Sequence, residues 1–150
     1  MEFNNRWPVS LLIIASLQLS ACAQKSESSA PKDSKPAHVE NIEGTKFSRL
    51  TLTESAIQRI DLKTDQVREQ AVSRSASPRK VVPYSSLIYD SHGETWVYTS
   101  PKPYTFIRHK VEVDYIQGDI AVLNDGPPTG TVVASVGVAE LYGTEFKVGH

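Results

Sequence analysis

The chain holds one cysteine, Cys22, at the end of the stretch LLIIASLQLSAC that begins at Leu11. A reactive thiolate needs a basic neighbour or a helix N-terminus to lower its pKa, and LSACAQ offers neither. An internal disulfide is ruled out, because there is no second cysteine. The histidines are the next candidates. His92, His109 and His150, together with Asp or Glu, would suit Zn(II) or Cu(II). No two of them stand at the i, i+2 or i, i+4 spacing of a local site, so the ligands could converge only through the fold. Soft Cu(I) or Ag(I) wants Met or Cys sulfur, and apart from Cys22 the chain has only Met1. Catalysis has no visible framework. The serines of SRSAS and YSSL are not in a nucleophile elbow, and no glycine-rich loop precedes a helix. In NDGPPTG, Pro127 and Pro128 remove amide donors that a bound anion would need. The expectation is a non-enzyme without a cofactor, with metal handling through His92, His109 and His150 as an alternative.

What precedes the cysteine gives it a different use. Met1 to Ser10 is short and polar with one basic residue, Arg6, and the apolar run after it is about 10 residues long, well short of the ~20 a membrane-spanning helix needs. This is the shape of a secretory signal with small residues before the cut. Leu19, Ser20, Ala21 and Cys22 resemble the lipobox of bacterial lipoproteins, in which the cysteine is acylated through its sulfur and becomes the first mature residue. The resemblance implies a signal peptide over residues 1–21 and a covalent lipid, such as palmitate, on Cys22. It places the chain on the periplasmic face of the cell envelope, held to the membrane by that lipid. Ala23, rather than Asp, after the cysteine favours the outer over the inner membrane by the sorting rule of enteric bacteria.

Charge narrows the partners. The chain has 16 Lys and Arg against 17 Asp and Glu, scattered along its length, whereas a nucleic-acid-binding domain concentrates basic residues on one face. No nucleic acid is expected. Residues 22–46 are rich in Ser, Lys, Pro and Glu and poor in large apolar groups, so they read as a flexible tether, with His38 solvated inside it. Such a segment has a root-mean-square reach of only ~25–30 Å. Residues 47–150 are long enough for one domain with one core.

The patterning of that domain is mostly β. Thr51 and Glu54 stand at capping-box spacing, with Ala56, Ile57 and Ile60 at helical offsets, which predicts one short helix near residues 53–60. LKTDQVREQAV alternates weakly as a strand. KVVPYSSLIYD gives two apolar runs broken at Pro83, and the glycine of SHGE turns the chain into TWVYTS, a hairpin. Pro101 and Pro103 predict a loop. YTFIRHKVEVDY then alternates, with Ile107, His109, Val111, Val113 and Tyr115 on an apolar face and Arg108, Lys110, Glu112 and Asp114 on a wet one. Turns at Gln117-Gly118 and Asn124–Gly130 flank a strand near Ile120 to Leu123, another strand runs through Val132 and Val133, and VAELYG closes with a helical turn ending at Gly143. Short strands at this spacing indicate a small antiparallel β-barrel or roll.

Taken in order, these elements carry a resemblance. Val82-Pro83, Gly93, Trp96 to Tyr98, Arg108 with Val111 and Val113, Gly126 with Gly130 to Val133, and Gly137 with Glu140-Leu141 resemble the C-terminal part of periplasmic adaptor subunits of resistance-nodulation-division efflux systems. These are also called membrane fusion proteins. LTESAIQRIDLKTDQV is similar to the adaptor's N-terminal strand region. The resemblance implies the adaptor's membrane-proximal β-domain, which is built from both chain ends. Full adaptors insert a lipoyl-like domain, an α-helical hairpin and a β-barrel domain between those ends, and here only REQAVSRSASPRK separates Val67 from Val81. By resemblance the partner is an efflux pump or a full-length adaptor. The residues to contact it would be exposed aromatics and arginine, favoured at interface cores: Tyr84, Tyr89, Trp96, Tyr104, Arg108 and Tyr142. For Trp96, Tyr98 and Phe106, packing within the domain is the competing role. A structural envelope lipoprotein without a pump is a third alternative.

Overall fold

The computed structural model describes residues 35–147; Leu19, Ser20, Ala21, Cys22 and His150 lie outside that range, as does the signal segment. Within it the chain is mainly β, an antiparallel sheet curled into an open half-barrel with one short and one longer helix. In chain order the elements are β1 Ala37–Asn41, β2 Ser48–Leu52, α1 Glu54–Arg59, β3 Lys63–Gln66, β4 Arg68–Gln70, β5 Arg79–Pro83, β6 Ile88–Tyr89, β7 Thr95–Lys102, β8 Thr105–Gln117, β9 Ile120–Asp125, β10 Val132–Val136 and α2 Val138–Phe146.

The fold starts earlier than the composition implies. β1 lies inside the stretch read as tether and pairs with β2 along its whole length, from Ala37↔Leu52 to Asn41↔Ser48. Its two-residue repeat turns Ala37 and Val39 against the core while His38 and Glu40 face solvent. Two small inward residues are enough for an edge strand, and a composition average cannot register them. The helix forms where expected, but with a different cap. Thr53, not Thr51, accepts the Ala56 N–H at 3.2 Å, because Thr51 is already paired in β2. Ala56 is buried, and Ile57 and Ile60 pack on the same core.

Curling of the sheet is set at Val67, which is fully buried. It divides one run of chain into β3, paired with β10, and β4, paired with β5. Its N–H donates to the Thr131 carbonyl at 2.9 Å, and its own carbonyl accepts from Gly130 at 2.8 Å. The strands run β3-β10-β7-β8-β9-β5-β4, so the two ends of the path are consecutive in sequence. That connection bends the sheet towards closure.

Two expectations about strands are corrected. Pro101 does not leave the sheet: it lies within β7, where the register shifts between Thr99 and Lys102. At a bulge the ladder is interrupted, so a missing N–H is tolerated. β8 does not keep one apolar face either. Phe106, Arg108 and Val111 are buried while His109 is exposed, because the first half of the strand pairs with β7 and β2 and the second with β9, with register shifts between Glu112 and Tyr115.

The central strands consequently serve two cores. Leu50, Tyr98, Phe106, Ala134 and Leu141 pack on the side covered by the helices. Val67, Val82, Val97, Val111, Leu123 and Val133 pack inside the curl. This is why Trp96, Val97 and Tyr98 are all buried in succession. A third, smaller cluster joins Val72, Val81 and Val122. All three are built within residues 35–147, so the domain carries its own core. α2 also outruns its expected end at Gly143 and continues to Phe146, with Leu141 fully buried beneath it.

Candidate functional site

β7 and β8 place Tyr98 opposite Arg108 in register, and both are buried. The guanidinium of Arg108 stands over the Trp96 ring at 4.3 Å, the Phe146 ring at 4.9 Å and the Phe47 ring at 5.9 Å. Phe47 meets Trp96 edge-on at a centroid separation of 5.8 Å. From α2, Glu145 brings an almost wholly buried carboxylate to 3.4 Å from Arg108 Nε. The alignment is not that of a hydrogen bond, since Nε has no such partner; the attraction is between charges, strengthened by exclusion of water. Tyr98 donates its hydroxyl to the same carboxylate at 2.6 Å. Burial first, and then this bond to Glu145, push the Tyr98 hydroxyl well above the ordinary phenol range, so it keeps its proton and does not act as a base.

A second carboxylate organises the turn before β7. Asp90 accepts the backbone N–H groups of His92 at 2.9 Å and Glu94 at 3.0 Å, and the Trp96 indole N–H at 3.0 Å. Desolvation pushes its carboxyl up, but the Glu94, His92 and Trp96 donors outweigh that and hold it below the usual carboxylate range. Lys110 pairs with Glu94 and lies 5.9 Å from the centroid of the Trp96 ring. The SHGE hairpin and the arginine cluster are thus joined through one indole.

The six residues expected to meet a partner separate into two kinds. Trp96 and Arg108 come together but are buried, so they are withdrawn from the contact set. Tyr142 joins them at one remove, its ring 4.6 Å from that of Phe146. Arg108 is turned inward because it shares the face of Phe106, where the strand reads as polar outside only if a single core is assumed. Tyr84, Tyr89 and Tyr104 are exposed and sit on three different parts of the surface: Tyr84 against Asp119 in the β8–β9 turn, Tyr89 in β6, and Tyr104 in the β7–β8 turn. Tyr84 and Tyr104 lie near opposite ends of β8. Glu145 and Phe146 escape sequence reasoning altogether, since helical patterning stops being visible at Gly143.

Metal-type residues are dispersed. His92 lies in the β6–β7 turn with Nδ1 4.0 Å from Asp90, and His109 is exposed on β8 opposite Val97. Among the described residues no three His, Cys, Asp or Glu side chains gather as a metal site, and no helix is long and apolar enough to cross a membrane.

No family model and no curated protein matches this chain. The adaptor resemblance therefore rests on the sequence motifs alone, LTESAIQRIDLKTDQV and the ordered set from Val82 to Leu141. Two of the concave surfaces among the described residues have mainly apolar linings. One, of about 470 Å³, lies beside Tyr104, Pro101 and Pro103 and is backed by Ile57, Leu62 and Phe106. The larger, about 820 Å³, runs between β1, α1 and α2.

Proposed function

We propose that this chain is a membrane-anchored periplasmic interaction module, an adaptor-like accessory of a resistance-nodulation-division efflux or export system that lacks the hairpin and lipoyl domains. The observation that carries the reading is how the sheet joins the two arms of the chain. β2 pairs with β8 and β3 with β10, so strands from before and after residues 71–78 are interleaved in one sheet. The arms meet at the β4–β5 hairpin. By resemblance, this is the junction where a full adaptor carries its inserted domains; here eight residues, 71–78, close it. A domain of this build has no long element with which to cross the periplasm. A role in surface contact is supported by the exposed rings of Tyr84, Tyr89 and Tyr104, which are of the type that interface cores favour.

The test is purification of the tagged, lipid-bearing chain from native membranes after brief crosslinking. A pump or full-length adaptor should co-purify, and alanine at Tyr84, Tyr89 or Tyr104 should reduce its yield. A chain recovered alone, from cells that express such a pump, overturns the reading. The anchor is tested separately: globomycin should accumulate the unprocessed form, and Cys22→Ala should lose the lipid. A Cys22→Ala chain processed and membrane-bound like the wild type would rule out the lipobox.

A further inference from the structure

The larger groove combines an apolar floor with a basic rim. Ala37 and Val39 of β1, Ala56 and Ile60 from the α1 side, and Ala139 and Gly143 of α2 line it. The α2 residues that face the groove, Ala139 and Gly143, are too small to fill it. Around it stand three cations, Lys35, Arg59 and Lys147, against one carboxylate, Glu140; all four are exposed. An apolar trough bordered by an excess of positive charge is complementary to an anionic amphiphile. Neither a neutral apolar peptide nor a soluble anion uses both halves of it.

The course of the chain selects the source of that amphiphile. Lys35, the first described residue, is on the rim. Cys22 stands thirteen positions before it, and thirteen residues span at most about 45 Å even when fully extended. If Cys22 is lipidated, this side of the domain is the one tied closest to the bilayer. We infer that the β1–α1–α2 groove docks on the membrane surface by seating an anionic phospholipid, with acyl carbons along Ala37, Val39, Ile60 and Ala139 and the phosphate among Lys35, Arg59 and Lys147. The choice of a bilayer as the source rests on the lipid-anchor reading; the chemistry of the groove does not.

The decisive experiment uses the chain from Ala23 to His150, which contains the whole core and has no anchor. It should bind vesicles of phosphatidylcholine containing about 30% phosphatidylglycerol at least tenfold more tightly than vesicles of phosphatidylcholine alone, since each cation near an anionic surface contributes roughly a fivefold gain. Raising the salt from about 0.1 to 0.5 M should erase most of the difference. Arg59→Glu with Lys147→Glu should abolish the preference. Ala139→Leu, which fills the groove without altering charge, should weaken binding to the anionic vesicles severalfold. Trp96 fluorescence checks that each variant is folded. Equal binding to both vesicles, or an unchanged preference in the Arg59→Glu/Lys147→Glu variant, overturns the proposal. So does a dimer, seen by sedimentation, that Ala139→Leu disrupts while vesicle binding is absent, because the groove would then belong to a second copy. None of these outcomes depends on Cys22, so a failure here is distinct from a failure of the anchor.

Discussion

Arg108 shows how one side chain can carry charge and yet serve architecture. Its guanidinium is matched by Glu145 and covered by Trp96, Phe47 and Phe146, so it pins α2 to the sheet instead of offering a contact to a partner. Removing one member leaves the other buried and unmatched. Glu145→Leu and Arg108→Met should each destabilise the domain by about 3 kcal/mol in urea titration, and the double variant Arg108→Met/Glu145→Leu should lose less than the sum of the two. If the two single losses simply add, the pair is not coupled and the cluster is mere packing. Tyr98→Phe removes a hydrogen bond to a charged acceptor and should cost about 2 kcal/mol. Asp90 adds a pH dependence. Its folded pKa is depressed by the Glu94, His92 and Trp96 donors, so its contribution is present above the unfolded carboxylate pKa and is lost as pH falls through the folded one. Melting temperatures followed from neutral pH downwards through the acid range should therefore fall more steeply for wild type than for Asp90→Asn. Parallel curves would show that the charge of Asp90 plays no part.

At the scale of elements, strand and turn signals were legible because they are local. The Gly93 hairpin, the Gln117-Gly118 turn, the short helix before Ile60 and the strand through Val132 and Val133 each follow from a few neighbouring residues. What could not be read depends on partners distant in sequence. β1 needs β2 to cover it, Arg108 needs a second core to make inward burial sensible, and α2 beyond Gly143 is held by Tyr98 and Arg108 from β7 and β8. Cys22 and the three residues before it, on which the lipobox reading rests, lie outside the described residues. The corrected boundary has a consequence for truncation. A chain starting at Lys46 removes Ala37 and Val39 from the helix-side core and one of the two strands that pair with β2, and it should lose the cooperative urea transition that a chain starting at Ala23 retains. The junction before α2 is a sharper case. Gly137 has φ 81°, and an added Cβ would meet Ile60 Cδ1 at 3.3 Å and Leu62 at 3.4 Å. Gly130 has φ 87° with open space around the same position. Both Gly→Ala changes incur the left-handed backbone cost of about 1–2 kcal/mol, but Gly137→Ala should be the worse of the two in urea, by the crowding at α1. Equal losses would mean that the α1 end shifts freely.

For the whole molecule, the fold is a sheet stitched from two arms of one chain, and the stitching locates where the chain can be lengthened. Most connections are committed: the β8–β9 turn holds register, and Gly130 and Thr131 bond to Val67 where the sheet curls. Residues 71–78 are different in their second half. Val72 is buried in the small cluster, Ser73 donates from both its N–H and its hydroxyl to Gln117, and Arg74 covers the Tyr115 ring at 4.5 Å. Beyond Arg74, side-chain hydrogen bonds within the loop join Ser75 to Ser77. An insertion between Ser75 and Ala76 breaks only these exposed bonds, spares Val72, Ser73 and Arg74, and adds mainly loop entropy. Sixteen Gly and Ser residues would triple the eight-residue connection, at a cost of about 1 kcal/mol. The same insert at Gly130 would break the bonds that turn Val67 inward and should unfold the domain. Urea midpoints of the two insertion variants decide the matter. A Ser75 insert tolerated at about the loop-entropy cost means that the sheet does not depend on a short β4–β5 connection, and that a domain of this topology can carry large insertions there, as the adaptor reading requires. A Ser75 insert as damaging as the one at Gly130 would mean that the short loop is itself part of the fold, and the proposed relation to adaptors with inserted domains would fail.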